Sequence, residues 1–147
     1  IMSQVENFLT DKEEQSIVDA IIQAEQNTSG EIRVHIEEHT DKQPLERAQE
    51  VFQALKMDQT KNRNGVLFYV GVADHSFVIL GDKGINEKVE SDFWNQTKDL
   101  VIGHFKNKQY KEGLIEGVLK AGLKLKQLFP YDKESDKNEL PNEISRG

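Results

Sequence analysis

Three bends in the chain carry the residues with the most evident chemistry. Gly30-Glu31, Asn64-Gly65 and Gly81-Asp82 each join an oxygen-bearing side chain to a glycine. A hard divalent cation such as calcium takes about six to eight oxygens from carboxylates, amides and carbonyls, and glycine lets the backbone turn its carbonyls inward. Glu31, Asn64 and Asp82 are therefore candidate metal ligands. Asp58, in the polar stretch ahead of the second bend, would add a carboxylate, and Thr28 or Ser29 a weaker oxygen. On residue type alone, ordinary turns and a solvated Glu31 explain the same pieces better.

A second group, Glu37, Glu38, His39, Asp41, Asp74 and His75, offers imidazole as well as carboxylate and would suit a transition metal. A hairpin turn at Asp74-His75 and a charged loop from Glu37 to Lys42 account for it more simply. His35 alternates with Glu31, Arg33 and Glu37 in a polar row, exposed or ion-paired, and His104 beside Phe105 reads as structural. Phosphoryl transfer needs a nucleophile, a phosphate cradle and a metal or arginine to spread charge. The chain has no cysteine and no G-x-x-x-x-G-K-[ST] loop, and Gly81-Asp82-Lys83-Gly84 is explained by a tight turn as well as by an anion nest. A water activated by metal near Asp82, with Glu31 as base, is the enzymatic alternative.

Several elements must position these groups. Thr10 and Glu13 form a capping box, so a helix begins at about Asp11, carries Ile17, Val18, Ile21, Ile22 and Ala24 as its apolar stripe, and ends near Asn27. Ile32, Val34 and Ile36 then alternate with polar residues as in a strand with one dry face. Pro44 opens a second helix with Ala48, Val51, Phe52 and Leu55 on one side. The run Gly65 to Ala73 is apolar without alternation, which predicts a strand covered on both faces. It returns through Asp74-His75 into Ser76 to Gly81 as a hairpin. Helices follow over about Ser91–Phe105 and along Leu114, Val118, Ala121, Leu125 and Phe129, with Gly113, Gly117 and Gly122 permitting close packing. Pro130 stops the last one. The expected architecture is a three-layer α/β/α sandwich with a small mixed sheet and about four helices over residues 5–130. Residues 131–147, rich in charged and amide side chains, are expected to form a mobile polar tail, although Leu140 and Ile144 offer two apolar anchors.

Composition narrows the partners. In 147 residues, 19 basic and 26 acidic groups give a formal charge of −7, which disfavours nucleic acid and favours cations or basic partners. Residues 1 to 73 hold 7 basic and 13 acidic groups, so the excess sits in the first half. The absence of cysteine excludes disulfides and thiolate metal sites. No apolar run reaches membrane-spanning length and the first residues lack a basic-then-apolar export pattern, so a soluble, cytoplasmic location is expected, with no integral membrane segment. Lys106, Lys108, Lys111, Lys120, Lys124 and Lys126 gather near the final helix, a face suited to an acidic protein partner or to simple solvation.

The order of elements, together with Thr28-Ser29-Gly30-Glu31-Ile32, Asn64-Gly65-Val66-Leu67 and Gly81-Asp82-Lys83-Gly84-Ile85, resembles the TPM domain family, in particular its short bacterial stand-alone members. That resemblance implies an α/β/α sandwich and a divalent-cation site, usually discussed as calcium, with magnesium or manganese as alternatives. It also implies modest acid phosphatase activity, credited to some plant members. With the resemblance added, Glu31, Asp58, Asn64 and Asp82 are the expected metal ligands, serving a structural or regulatory role.

Overall fold

The computed structural model describes residues 8–131 and 139–147. Helix α1 (Asp11–Glu25) starts where the capping box places it: the Thr10 hydroxyl accepts from the Glu13 amide at 3.1 Å and the Glu13 carboxylate accepts from the Thr10 amide at 3.0 Å. Strand β1 (Glu31–Glu37) leads to helix α2 (Pro44–Ala54), a short 3-10 turn (Met57–Gln59) and strand β2 (Gly65–Gly71). Strand β3 (Ser76–Gly81) returns antiparallel to β2, and helices α3 (Lys83–Asn86), α4 (Phe93–Lys106) and α5 (Tyr110–Leu128) follow. Strand β4 (Ser145–Arg146) completes a mixed sheet of order β3-β2-β1-β4, in which β1 is parallel to both β2 and β4.

The apolar run predicted to be a central strand is one, and all of β2 is buried. Its alternate residues serve two cores. Val66, Phe68 and Val70 join Ile32 and Val34 beneath α1, α4 and α5, where Ile17, Ile21, Val101, Leu114, Val118 and Leu125 close the layer. Leu67 and Tyr69 face the other way, against Ala48, Val51, Phe52, Met57 and Leu140. Full burial of such side chains stabilises the fold by about 1.5–3 kcal/mol each, so this strand contributes to both layers. The close helix packing expected at Gly122 is real: a Cβ there would lie 2.6 Å from that of Ala24 on α1.

Two expectations need correction. The bend at Gly81–Gly84 continues into a helical turn, α3, because the Asp82 carboxylate accepts from the Lys83 amide and caps it. The described helices therefore number five, one more than the apolar stripes announced. The expected mobile tail partly lies outside the described residues, at 132–138, but residues 139–147 are docked. Leu140 is buried in the α2-side core, the Glu143 carbonyl accepts from Arg33, and β4 pairs with His35 and Ile36. One buried anchor and backbone pairing along the otherwise open edge of β1 hold this segment, and neither depends on a long apolar pattern.

Candidate functional site

Parallel pairing of β1 with β2 sets Glu31 opposite Gly65, and the Asp82 amide donates to the Gly65 carbonyl at 2.9 Å, so the three bends meet at one rim of the sheet. Strand alternation puts Glu31 and Asp82 on the same face, two strand spacings or about 10 Å apart, with a glycine between them. A Cβ on Gly65 would sit 3.1 Å from the Met57 carbonyl oxygen, so the 3-10 turn bearing Asp58 packs directly onto this glycine. The convergence expected from the sequence is present in the backbone.

The side chains are less uniform. Glu31 is 2 % exposed; one carboxylate oxygen accepts from the Leu140 amide at 2.7 Å and the other, Oε2, is buried without a partner. Burial pushes its pKa up to about 7 against the lowering effect of the Leu140 and Glu139 amides, with the Glu139 carboxylate adding repulsion. Asp58 likewise keeps a buried Oδ1 without a partner. Asn64, fully buried, donates from its side chain to the Ser29 hydroxyl at 3.2 Å while its amide donates to the Thr60 hydroxyl at 3.2 Å, so it pins two loops together. Asp82 accepts both Arg63 Nε at 2.8 Å and a second guanidinium nitrogen at 3.0 Å, which makes a bidentate pair. Thr28 closes on carbonyls at the end of α5. As a ligand set for a divalent cation, the expected residues fit in part: Glu31 and Asp58 hold spare oxygens, whereas Asp82 is already neutralised by an arginine. Among the described residues, no group of three or more His, Asp or Glu side chains is gathered tightly enough to hold a metal.

The opposite rim is organised for stability. Glu37 is buried and receives Arg47 through Nε at 2.8 Å and a terminal nitrogen at 2.9 Å, the Tyr69 hydroxyl at 2.6 Å, and contact with His35 Nε2 at 3.0 Å. Burial alone would raise its pKa, but these donors hold it down at about 2. Ser145 of β4 meets the other His35 nitrogen at 3.0 Å, so the polar row of β1 is ion-paired and covered. His39 lies between Asp41 and Asp74 at the surface, and His75 is an exposed turn residue with φ 52°.

Comparison with known proteins bears on the domain as a whole. The TPM domain family model matches residues 2–123. This chain belongs to the TPM domain family. No curated protein matches it. It is similar to the BA42 protein of the psychrophilic bacterium Bizionia argentinensis, solved by NMR, with 53% identity, 99% of this chain and 100% of that one covered, and a TM-score of 0.90. Two more distant NMR structures share the fold. They are the N-terminal domain of cg2496 from Corynebacterium glutamicum, at 11% identity and TM-score 0.63 over 95% of this chain and 80% of that one, and the N-terminal domain of a P. gingivalis protein, at 19% and 0.69 over 83% and 79%. No helix among the described residues of this TPM domain is long and apolar enough to cross a membrane.

Glu25 is a residue of this TPM domain that the sequence reading missed. Its carboxylate accepts from the Ile32 amide at 2.9 Å, beside Glu31, where β4 does not reach the β1 edge. Burial pushes its pKa up to about 8, the Ile32 amide opposes that rise, and Glu31 adds to it. A signal existed: an acid ending a helix opposes the negative pole of the macrodipole and calls for a local reason. The lysine face is partly spent internally, with Lys124 paired to Glu90 and lying, like Lys120, over the Phe93 ring.

Proposed function

We propose that this TPM domain binds a divalent cation, calcium foremost, at the rim carrying Glu31, Asp58, Asn64 and Asp82, with a structural or regulatory role. The observation that supports this reading is the pair of buried carboxylate oxygens, Glu31 Oε2 and Asp58 Oδ1, left without hydrogen-bond partners at the rim where the turn bearing Asp58 packs onto Gly65. A buried carboxylate oxygen with no donor is costly, and a cation is one way to satisfy it. Asp82 would join the set only on exchanging Arg63 for the ion; the half-exposed arginine side chain has room to leave. Leu140 binds the same Glu31 carboxylate, so the ion and the docked C-terminal segment act on one group.

Thermal melting tests the proposal. At a hundredfold excess over its dissociation constant, an ion that binds only the folded state adds about 2.7 kcal/mol of stability. Calcium should raise the midpoint of the native protein, and Glu31→Gln and Asp58→Asn should each reduce the rise while remaining folded. No rise with calcium, magnesium or manganese rejects the proposal. The acid phosphatase activity implied by resemblance has only the family behind it.

A further inference from the structure

Away from the carboxylate rim, where the β2–β3 hairpin meets the α4–α5 connection, the helix-covered core opens into a cavity of about 550 Å³. Ligand pockets commonly span about 300–1,000 Å³ and combine apolar walls with a few placed polar groups. This one has that composition. Its walls include Val72, Phe77, Ile102, Phe105 and Tyr110, and the rings interlock: Phe77 and Phe105 meet edge-on at 5.4 Å, Phe105 and Tyr110 at 5.5 Å.

The charge at the mouth is positive. Lys106, the last residue of α4, lines the cavity, is exposed and makes no ion pair with the described residues. Lys108 and Lys111 follow it before the first acidic residue, Glu112. On the hairpin side the carboxylate of Asp74 is engaged by His39 and the Thr40 amide. An apolar chamber with one uncommitted ammonium at its mouth is complementary to a molecule that is hydrocarbon at one end and anionic at the other.

We propose that this cavity is a binding site for a small apolar monocarboxylate, with its hydrocarbon part among Phe77, Phe105 and Tyr110 and its carboxylate at Lys106. The proposal is independent of the cation reading, because it uses none of the residues of the carboxylate rim. A site of this kind gives the domain a small-molecule ligand in addition to any ion.

The test is a two-dimensional amide NMR titration of the full chain in chelator with 2-naphthoate and, separately, decanoate, against neutral 2-naphthylmethanol. Saturable shifts centred on Val72, Phe77, Ile102 and Tyr110 are expected with at least one acid; which acid binds more tightly assigns a ring or a chain as the natural tail. The neutral compound should bind about tenfold more weakly, as should the acid to Lys106→Glu, since a charge-assisted contact contributes roughly that factor. Lys106 is exposed, so this variant should keep the native spectrum. Ile102→Trp, which fills the chamber, should abolish the shifts. Absence of saturable shifts with both acids at millimolar concentration overturns the proposal, as does equal binding of acid and neutral compound or unchanged binding by Lys106→Glu.

Discussion

Replacing Glu31 by glutamine should stabilise the metal-free protein, and by an amount that depends on pH. In the folded state burial holds the Glu31 pKa near 7, against an ordinary value of 4.5 in the unfolded chain. Between those values the native protein binds more protons than the unfolded one, so stability falls as pH rises through this window and the loss is complete above the folded pKa. The gap corresponds to roughly 3 kcal/mol, an order-of-magnitude figure for a side chain that is 2 % exposed. Glutamine keeps an acceptor for the Leu140 amide and cannot ionise. In chelator, Glu31→Gln should match the native protein at pH 4.5 and exceed it by up to about 3 kcal/mol at pH 8. With a urea slope of about 2 kcal/mol per molar, the midpoint should then rise by roughly 1.5 M. Paired urea titrations at the two pH values read this directly. An advantage of the same size at both values, or a variant less stable at pH 8, refutes the reasoning about a buried carboxylate under strain.

Three further outcomes follow from the same geometry. Arg47→Ala strands the Glu37 charge in the interior and should cost about 3 kcal/mol at pH 7, with the Glu37 carboxyl resonance titrating well above its native pKa of about 2. Because that pKa is depressed, the stability it contributes is present above about pH 4.5 and disappears as pH falls towards 2, the reverse of the Glu31 behaviour. Gly84→Ala would press a Cβ to 2.2 Å from the Asn62 carbonyl oxygen, and chemical denaturation should show a loss of at least about 2 kcal/mol. Leu140→Ala should cost about 2 kcal/mol, and amide exchange should show lost protection at Gly147, whose amide donates to Ile36, while α1 stays protected.

Much of the scaffold was legible because its signals are local. The Thr10–Glu13 capping box, the unalternating run through Phe68 and Tyr69, and the spacing of Ala48, Val51 and Phe52 each state their element within a few residues. The rim was legible as well, since a parallel pair followed by a hairpin can place Glu31, Gly65 and Asp82 only at one end. What resisted reading depends on pairing across the chain. Arg63 claims Asp82 from 19 positions away, and Arg47 neutralises Glu37, which lets a strand face of charged residues be buried when its composition suggests solvent. The β4 strand consists of two residues and owes its place to the free edge of β1, with Leu140 as the apolar anchor. Glu25 acts through a backbone amide of β1, a role that spacing within α1 does not reveal.

The most direct test of the proposed ion site is a calcium titration that follows the side-chain carboxyl carbons of Glu31 and Asp58 by NMR at pH 7.5. Saturable shifts of both resonances, with the Leu140 amide moving in step, are the predicted result. Carboxyl resonances that stay fixed through millimolar calcium would contradict the account, whatever happens elsewhere in the spectrum.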